Sequence, residues 1–141
     1  MENIIDLLNE KTACGLIASL GIRFTACGSD WLEAEMPVDE RTVRPGGDLH
    51  GGANLALAET LGGALGLMVR RGENVNVFGM QVSGNHMKKA KGNYVKGKAK
   101  FLHKGGRTQV LEVEIRDEFD TLVSVCHVTN MVLPDKNSET N

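Results

Sequence analysis

The sequence lacks the features that mark several protein classes. It has no apolar run of the roughly 18 residues that a membrane-spanning helix needs, because Glu59 and Thr60 interrupt the best candidate. Its acidic start, MENIIDLLNE, is too poor in apolar residues for a signal peptide. Three separated cysteines without a CxxC pair argue against a disulfide framework and a zinc knuckle, and no histidine pair has metal-ligand spacing. We therefore predict a cytoplasmic protein with no membrane partner and no metal.

Two kinds of residue are also scarce: aromatic residues in the whole chain, and acidic residues in its central part. The chain has one Trp and one Tyr, too few for base stacking, and its formal net charge is −2. Acidic residues are missing between Asn74 and Leu111, whereas half of the 16 Lys and Arg residues lie between Lys88 and Arg107. The composition thus indicates a local basic region and excludes a nucleic-acid partner.

The residues that are present fit one domain, 1–141. The chain of 141 residues shows no linker and no repeat, and it is long enough for a real core. Apolar residues at helical spacing predict a short helical segment that ends near Gly21. Alternating residues over 22–38 predict a hairpin or a bent strand, and residues 41–52 form a Gly/Pro loop. The polar end, residues 134–141, is predicted to fray.

One long helix and four strands follow the loop. The helix is predicted over Ala53 to Arg70, with Gly72 just after it. The turns between the strands are too short for crossover helices, so the strands must pair antiparallel. The fold class is therefore α+β, with one antiparallel sheet against a single central helix. The four strands are predicted at residues 76–86, 93–103, 108–117 and 121–133.

The long helix carries a single carboxylate, Glu59, inside an apolar stretch. Burying an unpaired carboxylate is costly. Its helical neighbours include several glycines, each of which lowers helix stability by about 0.8 to 1 kcal/mol relative to Ala. Two interpretations are open: the glycines allow close packing of the helix while Glu59 lies in water, or they clear a slot through which a thin substrate reaches Glu59. These glycines are Gly52, Gly62, Gly63 and Gly66.

The HGG sequence before Glu59 adds hydrogen-bond donors. Backbone N–H groups of Gly51 and Gly52 at the helix start have no intrahelical partner and can hold a developing oxyanion. Glu59 lies about 12 Å further along the helix axis, too far for both groups to act on one atom. This separation favours a site built by two antiparallel helices from two chains.

Three segments in order, LHGGANLALAETLGGAL, VSGNHMKKAKG and HKGGRTQVLEVEI, resemble the hotdog-fold acyl-CoA thioesterases. They are most similar to the phenylacetate-pathway and 4-hydroxybenzoyl-CoA or dihydroxynaphthoyl-CoA type, and the likeness runs from about Leu16 to Leu133. The resemblance implies a hotdog fold, with the sheet wrapped around the central helix, and a homo-oligomer, either a dimer or a dimer of dimers (a homotetramer). It also implies hydrolysis of an acyl-CoA, with an aryl-CoA as one option, to free acid and coenzyme A without a cofactor, coenzyme A being part of the substrate.

The resemblance implies roles for individual residues as well. Glu59 matches the catalytic carboxylate, acting as nucleophile or as general base for water. Gly51 matches the glycine whose N–H polarises the thioester carbonyl, and His50 matches the loop histidine that supports this site. The substrate-binding residues that we predict beside them are Gly52, His86, Met87, Lys88, Lys89, His103, Lys104, Gly105, Gly106, Arg107 and Thr108.

Two further substrate-binding residues depart from the family pattern. Arg44 stands six residues before His50, where the family commonly has Gln or Asn, and Gly63 stands four residues after Glu59, where related enzymes often have Ser or Thr. Three roles are open for Arg44: binding a carboxylate or phenolate of the acyl group, pairing with Glu59, or pointing into solvent.

Other basic groups and other functions need separate interpretations. Lys96, Lys98 and Lys100 share one face of a strand and are predicted to be solvated, whereas Arg107 is predicted to bind ligand phosphates. His127 alternates with apolar residues and is predicted in the core or at an interface. Two alternative functions stay open, a hotdog hydratase or dehydratase and a non-catalytic acyl-CoA binding protein.

Overall fold

Two short helices open the chain. In the computed structural model, which describes residues 3–136, α1 spans Ile4–Thr12 and α2 spans Gly15–Leu20. The side chain of Asn3 caps α1 by accepting a hydrogen bond from the N–H of Ile5. Gly21 ends α2 with φ at 72°, a left-handed conformation that favours glycine. The predicted end of the helical segment near Gly21 is therefore confirmed.

Six antiparallel strands form one sheet in the order β1-β2-β4-β5-β6-β3. The predicted hairpin over residues 22–38 is confirmed, and each of the four later strands begins and ends within one residue of its predicted bounds. Strand β6 includes Pro134, which pairs with Val75, so the predicted frayed end overlaps the strand at this residue. Residues 137–141 of that end lie outside the described residues. The strands are β1 (Arg23–Cys27), β2 (Trp31–Pro37), β3 (Val75–His86), β4 (Tyr94–Lys104), β5 (Thr108–Asp117) and β6 (Leu122–Pro134).

The long helix, α3, spans Gly51–Met68 and packs against the sheet. It begins and ends two residues before its predicted bounds of 53 and 70. At its start, His50 acts as the cap and both glycines join the helix; at its end, the N–H of Arg70 bonds to the carbonyl of Leu67, which is a turn rather than a further helical step. None of the helices among residues 3–136 is long and apolar enough to cross a membrane.

The core lies between α3 and the concave face of the sheet. Apolar side chains of the helix meet those of the central strands, and all of them are withdrawn from solvent. Burying this much apolar surface is the main force that holds α3 in the curve of the sheet. The fully buried side chains include Leu57, Leu61 and Leu65 of α3 and Leu32, Met36, Leu111, Val113 and Ile115 of the sheet.

The outer face of the sheet is charged. Each lysine on this face of β4 lies opposite an acidic residue on at least one neighbouring strand, and Lys98 Nζ is 3.7 Å from Glu33 Oε1. The prediction of a solvated lysine face is therefore confirmed. His127 also lies on this face, where its Nε2 is 3.2 Å from Glu112 Oε2 and 42% of its side chain is exposed, so the prediction of a core position is wrong. The facing groups are Lys96, Lys98 and Lys100 on β4, Glu33 and Glu35 on β2, and Glu112 and Glu114 on β5.

Strand β3 is one edge of the sheet and carries unusual apolar groups. Only β6 pairs with it, so the other side of its 12-residue backbone is unpaired among the described residues. Phe78 and Met80 are 53% and 52% exposed. A long edge strand with exposed apolar side chains is a template for pairing with another strand.

Candidate active site

The start of α3 is shaped by His50 and the two glycines after it. His50 Nδ1 accepts a hydrogen bond from the N–H of Gly52 at 2.8 Å, so the imidazole acts as the helix cap. The N–H of Gly51 has no acceptor within residues 3–136. A backbone donor at a helix start carries partial positive charge, so this N–H is available to a carbonyl oxygen or an anion.

His86, at the end of β3, packs directly against Gly51. A Cβ atom on Gly51 would lie 2.9 Å from His86 Cδ2 and 3.0 Å from Nε2, so only glycine fits without moving the ring. Ser124 Oγ donates to the carbonyl of Asn85 at 3.2 Å and lies 2.8 Å from His86 Nδ1. The contact between Ser124 Oγ and Nδ1 holds the ring of His86 in place against Gly51. The N–H of Gly51 and the imidazole of His86 therefore lie side by side.

An open cleft of about 390 Å³ lies in front of these two groups. It brings together six of the predicted site residues, from the loop before α3, the helix start and the end of β3. Two further polar residues in its lining, Asp48 and Asn54, were not predicted. The sequence offered a signal for Asn54, a polar residue in an otherwise apolar helical turn, whereas Asp48 looked like an ordinary loop residue. The predicted residues in the cleft are Arg44, Gly51, His86, Met87, Lys88 and Lys89.

Asp48 lies between two basic groups at the mouth of the cleft. Its carboxylate is 3.6 Å from Arg44 Nη1 and 3.4 Å from Lys89 Nζ. Of the three roles open for Arg44, pairing with Glu59 is therefore wrong for the single chain, because the partner is Asp48. The guanidinium is 54% exposed and available to a ligand at the mouth of the cleft.

Backbone contacts hold the basic wall of the cleft. The N–H of Met87 donates to the carbonyl of Val123 at 2.8 Å, and the N–H of Lys91 donates to Asp117 Oδ2 at 3.0 Å. Burial acts to raise the pKa of Asp117, but hydrogen bonds from the backbone of Lys91, Thr121 and Phe119 outweigh it and lower the pKa. The carboxylate therefore stays charged and anchors the segment that carries Lys88 and Lys89.

Glu59 lies on a different surface of the same chain. Its side chain is exposed and packs over Gly79 on edge strand β3, where a Cβ atom would lie 2.7 Å from Oε1. No hydrogen bond or ion pair joins its carboxylate to another residue between 3 and 136. Eight residues of helix separate it from Gly51, a rise of about 12 Å. A single chain thus keeps the predicted carboxylate and the predicted N–H apart.

The glycines around Glu59 divide between the two interpretations given above. Cβ atoms on Gly62 and Gly66 would collide with Val128 and with the paired amides of Gln109 and Asn130, so these two glycines serve close packing. A Cβ atom on Gly63 would instead meet no atom of another element within 4 Å among residues 3–136, so the space beside this glycine is open. A Cβ atom on Gly52 would meet the capping ring of His50. The slot interpretation therefore survives for Gly63, one helical turn from Glu59, and not for Gly62 or Gly66.

The second predicted ligand segment, residues 103–108, lies at the opposite end of α3. Arg70, just past the helix, donates to the carbonyl of Gly106 at 3.2 Å, and the carbonyl of Arg107 accepts from the N–H of Val132 at 2.8 Å. His103 folds over Gly105, and the side chain of Arg107 is exposed beside a shallow groove. The structure therefore does not bring this segment, from His103 to Thr108, into the cleft of its own chain.

These groups can divide the work of an acyl transfer. The N–H of Gly51 can polarise a carbonyl, and an exposed carboxylate such as Glu59 can attack a carbonyl or activate water. Basic side chains around the cleft suit a phosphorylated ligand.

Comparison with known proteins assigns the class. The family model described as the thioesterase superfamily matches residues 46–124. The chain is 40% identical over 129 residues to the 1,4-dihydroxy-2-naphthoyl-CoA hydrolase of Escherichia coli, covering 92% of this chain and 94% of that protein. It is 42% identical over 114 residues to the proofreading thioesterase EntH of Cronobacter turicensis, covering 81% and 82%.

Solved structures agree with the sequence comparisons. The crystal structure of a thioesterase from Haemophilus influenzae superposes with a TM-score of 0.91 at 34% identity, covering 96% of this chain and 94% of that one. The chain belongs to the thioesterase superfamily. It is a thioester hydrolase with the hotdog fold, as the resemblance implied.

Proposed function

We propose that the protein hydrolyses an acyl-CoA thioester to the free acid and coenzyme A, with an aryl acyl group as the first candidate. The N–H of Gly51 polarises the thioester carbonyl, and Glu59 from a second chain acts as nucleophile or as general base for water. The observation that carries this proposal is that one helix presents both an N–H without an acceptor, at Gly51, and an exposed carboxylate about 12 Å further along. The coenzyme A part is supported by the 40% identical naphthoyl-CoA hydrolase.

Assembly of two chains about β3 would complete this site. Glu59 lies over Gly79 and Gly51 lies against His86, at two positions of the same edge strand. Antiparallel pairing of two β3 strands about an axis near Val82, between these positions, would bring Glu59 of one chain to the Gly51 cleft of the other. Pairing would also cover the exposed side chains of Phe78 and Met80. We therefore propose a dimer as the smallest active unit, and a dimer of dimers as its larger form.

The same arrangement accounts for two separated basic segments. In an antiparallel pair of α3 helices, the C-terminal end of one helix lies near the N-terminal end of the other. The segment around Arg107 of one chain would then lie on the side of Lys88 and Lys89 of the other, within reach of one long phosphorylated ligand. Free thiols at all three cysteines support the cytoplasm as the compartment.

Loss of the carboxylate tests the reaction. We expect Glu59→Ala and Glu59→Gln to lower kcat at least 100-fold, because the nucleophile or base is removed, and to leave the folded state intact, because Glu59 is exposed. Release of free thiol from a panel of acyl-CoA esters measures turnover, and circular dichroism checks folding. Lys100→Ala on the outer face of the sheet is the matched control and keeps wild-type turnover. Near wild-type turnover in Glu59→Ala would refute the proposal.

Mixed dimers test the two-chain site. Gly51→Pro removes the N–H, and Glu59→Ala removes the carboxylate, so each variant alone is expected to be inactive. In a dimer that contains one chain of each kind, one of the two sites keeps both groups. We expect mixing to restore up to about half of the activity per mixed dimer. No recovery in dimers shown to be mixed by mass spectrometry, or full activity in a monomer, would contradict a shared site.

A further inference from the structure

Asn54 lies in the first turn of α3 with its side-chain amide unused. The residue is 5% exposed, and its Oδ1 is buried without a hydrogen-bond partner in the described part of the chain. Its Nδ2 has no partner there either, but this atom is not sealed from solvent in the same way. Asn is also a poor helix former compared with Leu or Ala, so the local fold gives no reason for this residue.

Asn130 Oδ1 is buried without a partner in the described part of the chain as well, but the side-chain N–H groups of the buried amides under the same helix are used. Asn130 Nδ2 donates to the carbonyl of Gly62 at 2.9 Å and to Gln109 Oε1 at 3.1 Å. Gln109 Nε2 donates to the carbonyl of Gly66 at 3.1 Å. These amides fasten the helix to the sheet. Asn54 fastens nothing, and burying an amide without a partner is unfavourable.

Asn54 lies at the cleft, so its amide faces the space that a ligand would occupy. Its side chain lines the cleft that also contains Gly51 and His86. Asn54 follows Gly51 by three residues, a rise of about 4.5 Å along the same side of the helix. If the N–H of Gly51 binds the thioester carbonyl, the acyl atoms next to that carbonyl therefore lie close to the side-chain amide of Asn54.

We propose that Asn54 is a specificity-determining residue, whose Nδ2 donates a hydrogen bond to an oxygen substituent on the acyl group close to the thioester carbonyl. This inference rests on the proposed acyl-CoA hydrolysis. An acyl group with a hydroxyl near the carbonyl gives Nδ2 an acceptor, whereas an unsubstituted acyl group leaves Nδ2 without one in the complex. Sites built to bond a substrate hydroxyl discriminate strongly against analogues that lack it.

Matched pairs of substrates test this selectivity. The probes are benzoyl-CoA against 2-hydroxybenzoyl-CoA and 3-hydroxybenzoyl-CoA, and butyryl-CoA against 3-hydroxybutyryl-CoA. In wild type we expect a higher kcat/KM for a hydroxylated member of at least one series. In Asn54→Leu, which keeps the shape and removes the amide, we expect the hydroxylated-to-unsubstituted ratio of kcat/KM to fall at least tenfold. The unsubstituted ester is expected to keep its kcat/KM or to improve.

Thr25→Val is the matched control. Thr25 Oγ1 is also buried without a partner between residues 3 and 136, but it lies on β1 and does not line the cleft. Both variants remove an unpaired buried polar group, so both are expected to keep or raise the melting temperature. Only Asn54→Leu is expected to change the selectivity ratio. If Asn54→Leu does not fold, Asn54→Ala replaces it.

The outcomes separate the two proposals. Wild-type protein that hydrolyses none of the acyl-CoA esters overturns the proposed function. If the wild-type protein hydrolyses the esters and Asn54→Leu leaves the selectivity ratio unchanged, only the proposed role of Asn54 is overturned. An equal loss on both members of every pair also overturns it, because that result assigns Asn54 to general packing.

Discussion

The two halves of helix α3 treat their polar groups in opposite ways. In the C-terminal half, the carbonyls of Gly62 and Gly66 receive added hydrogen bonds from buried amides of the sheet. In the N-terminal half, the N–H of Gly51 and the amide of Asn54 have no partner among residues 3–136. Satisfied groups hold a scaffold, and unsatisfied groups at a cleft are available to a ligand. One helix thus combines a fixed end with a binding end.

Gly66→Ala has the largest expected effect on stability, because it disturbs the C-terminal half of α3, which is hydrogen-bonded to the sheet. A Cβ atom there would overlap Gln109 Oε1 and lie 2.7 Å from Asn130 Nδ2. Both side chains are fully buried and hydrogen-bonded to the helix, so they cannot move away without losing those bonds. We expect the free energy of unfolding to fall by about 3 kcal/mol. Denaturant unfolding measures it, and a loss below about 1 kcal/mol would show that the contact is not tight.

Substitution of His50 tests the N-terminal half of α3. Its imidazole caps α3 through the N–H of Gly52, so His50→Ala is expected to lower the free energy of unfolding by about 1 kcal/mol. His50→Asn supplies another cap oxygen and is expected to restore the stability. Comparing turnover of the two variants with that of wild type by thiol release then isolates the second role: if His50→Asn keeps wild-type turnover and His50→Ala loses it, His50 contributes to the site only through the cap.

Gly63→Ala has the smallest expected effect and the opposite sign. In the described part of the chain, no other element lies within 4 Å of a Cβ atom at this position, so Ala gains helix stability without a clash. We expect the free energy of unfolding to rise by up to about 1 kcal/mol. Turnover is expected to fall, because the methyl group narrows the slot beside Glu59. A loss of stability in denaturant unfolding would instead reveal that another chain packs on Gly63.

The elements and their antiparallel pairing could be predicted because they depend on local signals. Alternation, glycine turns and the helical spacing around Glu59 are visible in the chain, and short turns leave antiparallel pairing as the only option. The helix bounds were wrong by two residues, since the cap by His50 depends on a side-chain rotamer that spacing does not encode.

The candidate site was predictable only in part. Gly51 of the HGG segment and the residues from His86 to Lys89 were predicted, and they meet in one cleft. Asp48 was missed because its partners, Arg44 and Lys89, come from separate loops. The segment around Arg107 and the segment of Lys88 were both predicted to bind the substrate, yet the two lie at opposite ends of α3 in one chain. Distances between segments depend on how the strands are ordered, and strand order has no local signature.

The sequence by itself determined the class of fold and the chemical groups at hand, because hydrophobic period, turn residues and the HGG spacing are local properties of the chain. Only the tertiary structure decided which glycines pack and which stay open, since Gly62 and Gly63 are equivalent in sequence and differ in what faces them. It likewise decided that Asn54 has no partner among residues 3–136 while Asn130 has two. The physical reason is that hydrogen bonding and packing depend on atoms far apart along the chain, which meet only after the sheet has curved around the helix.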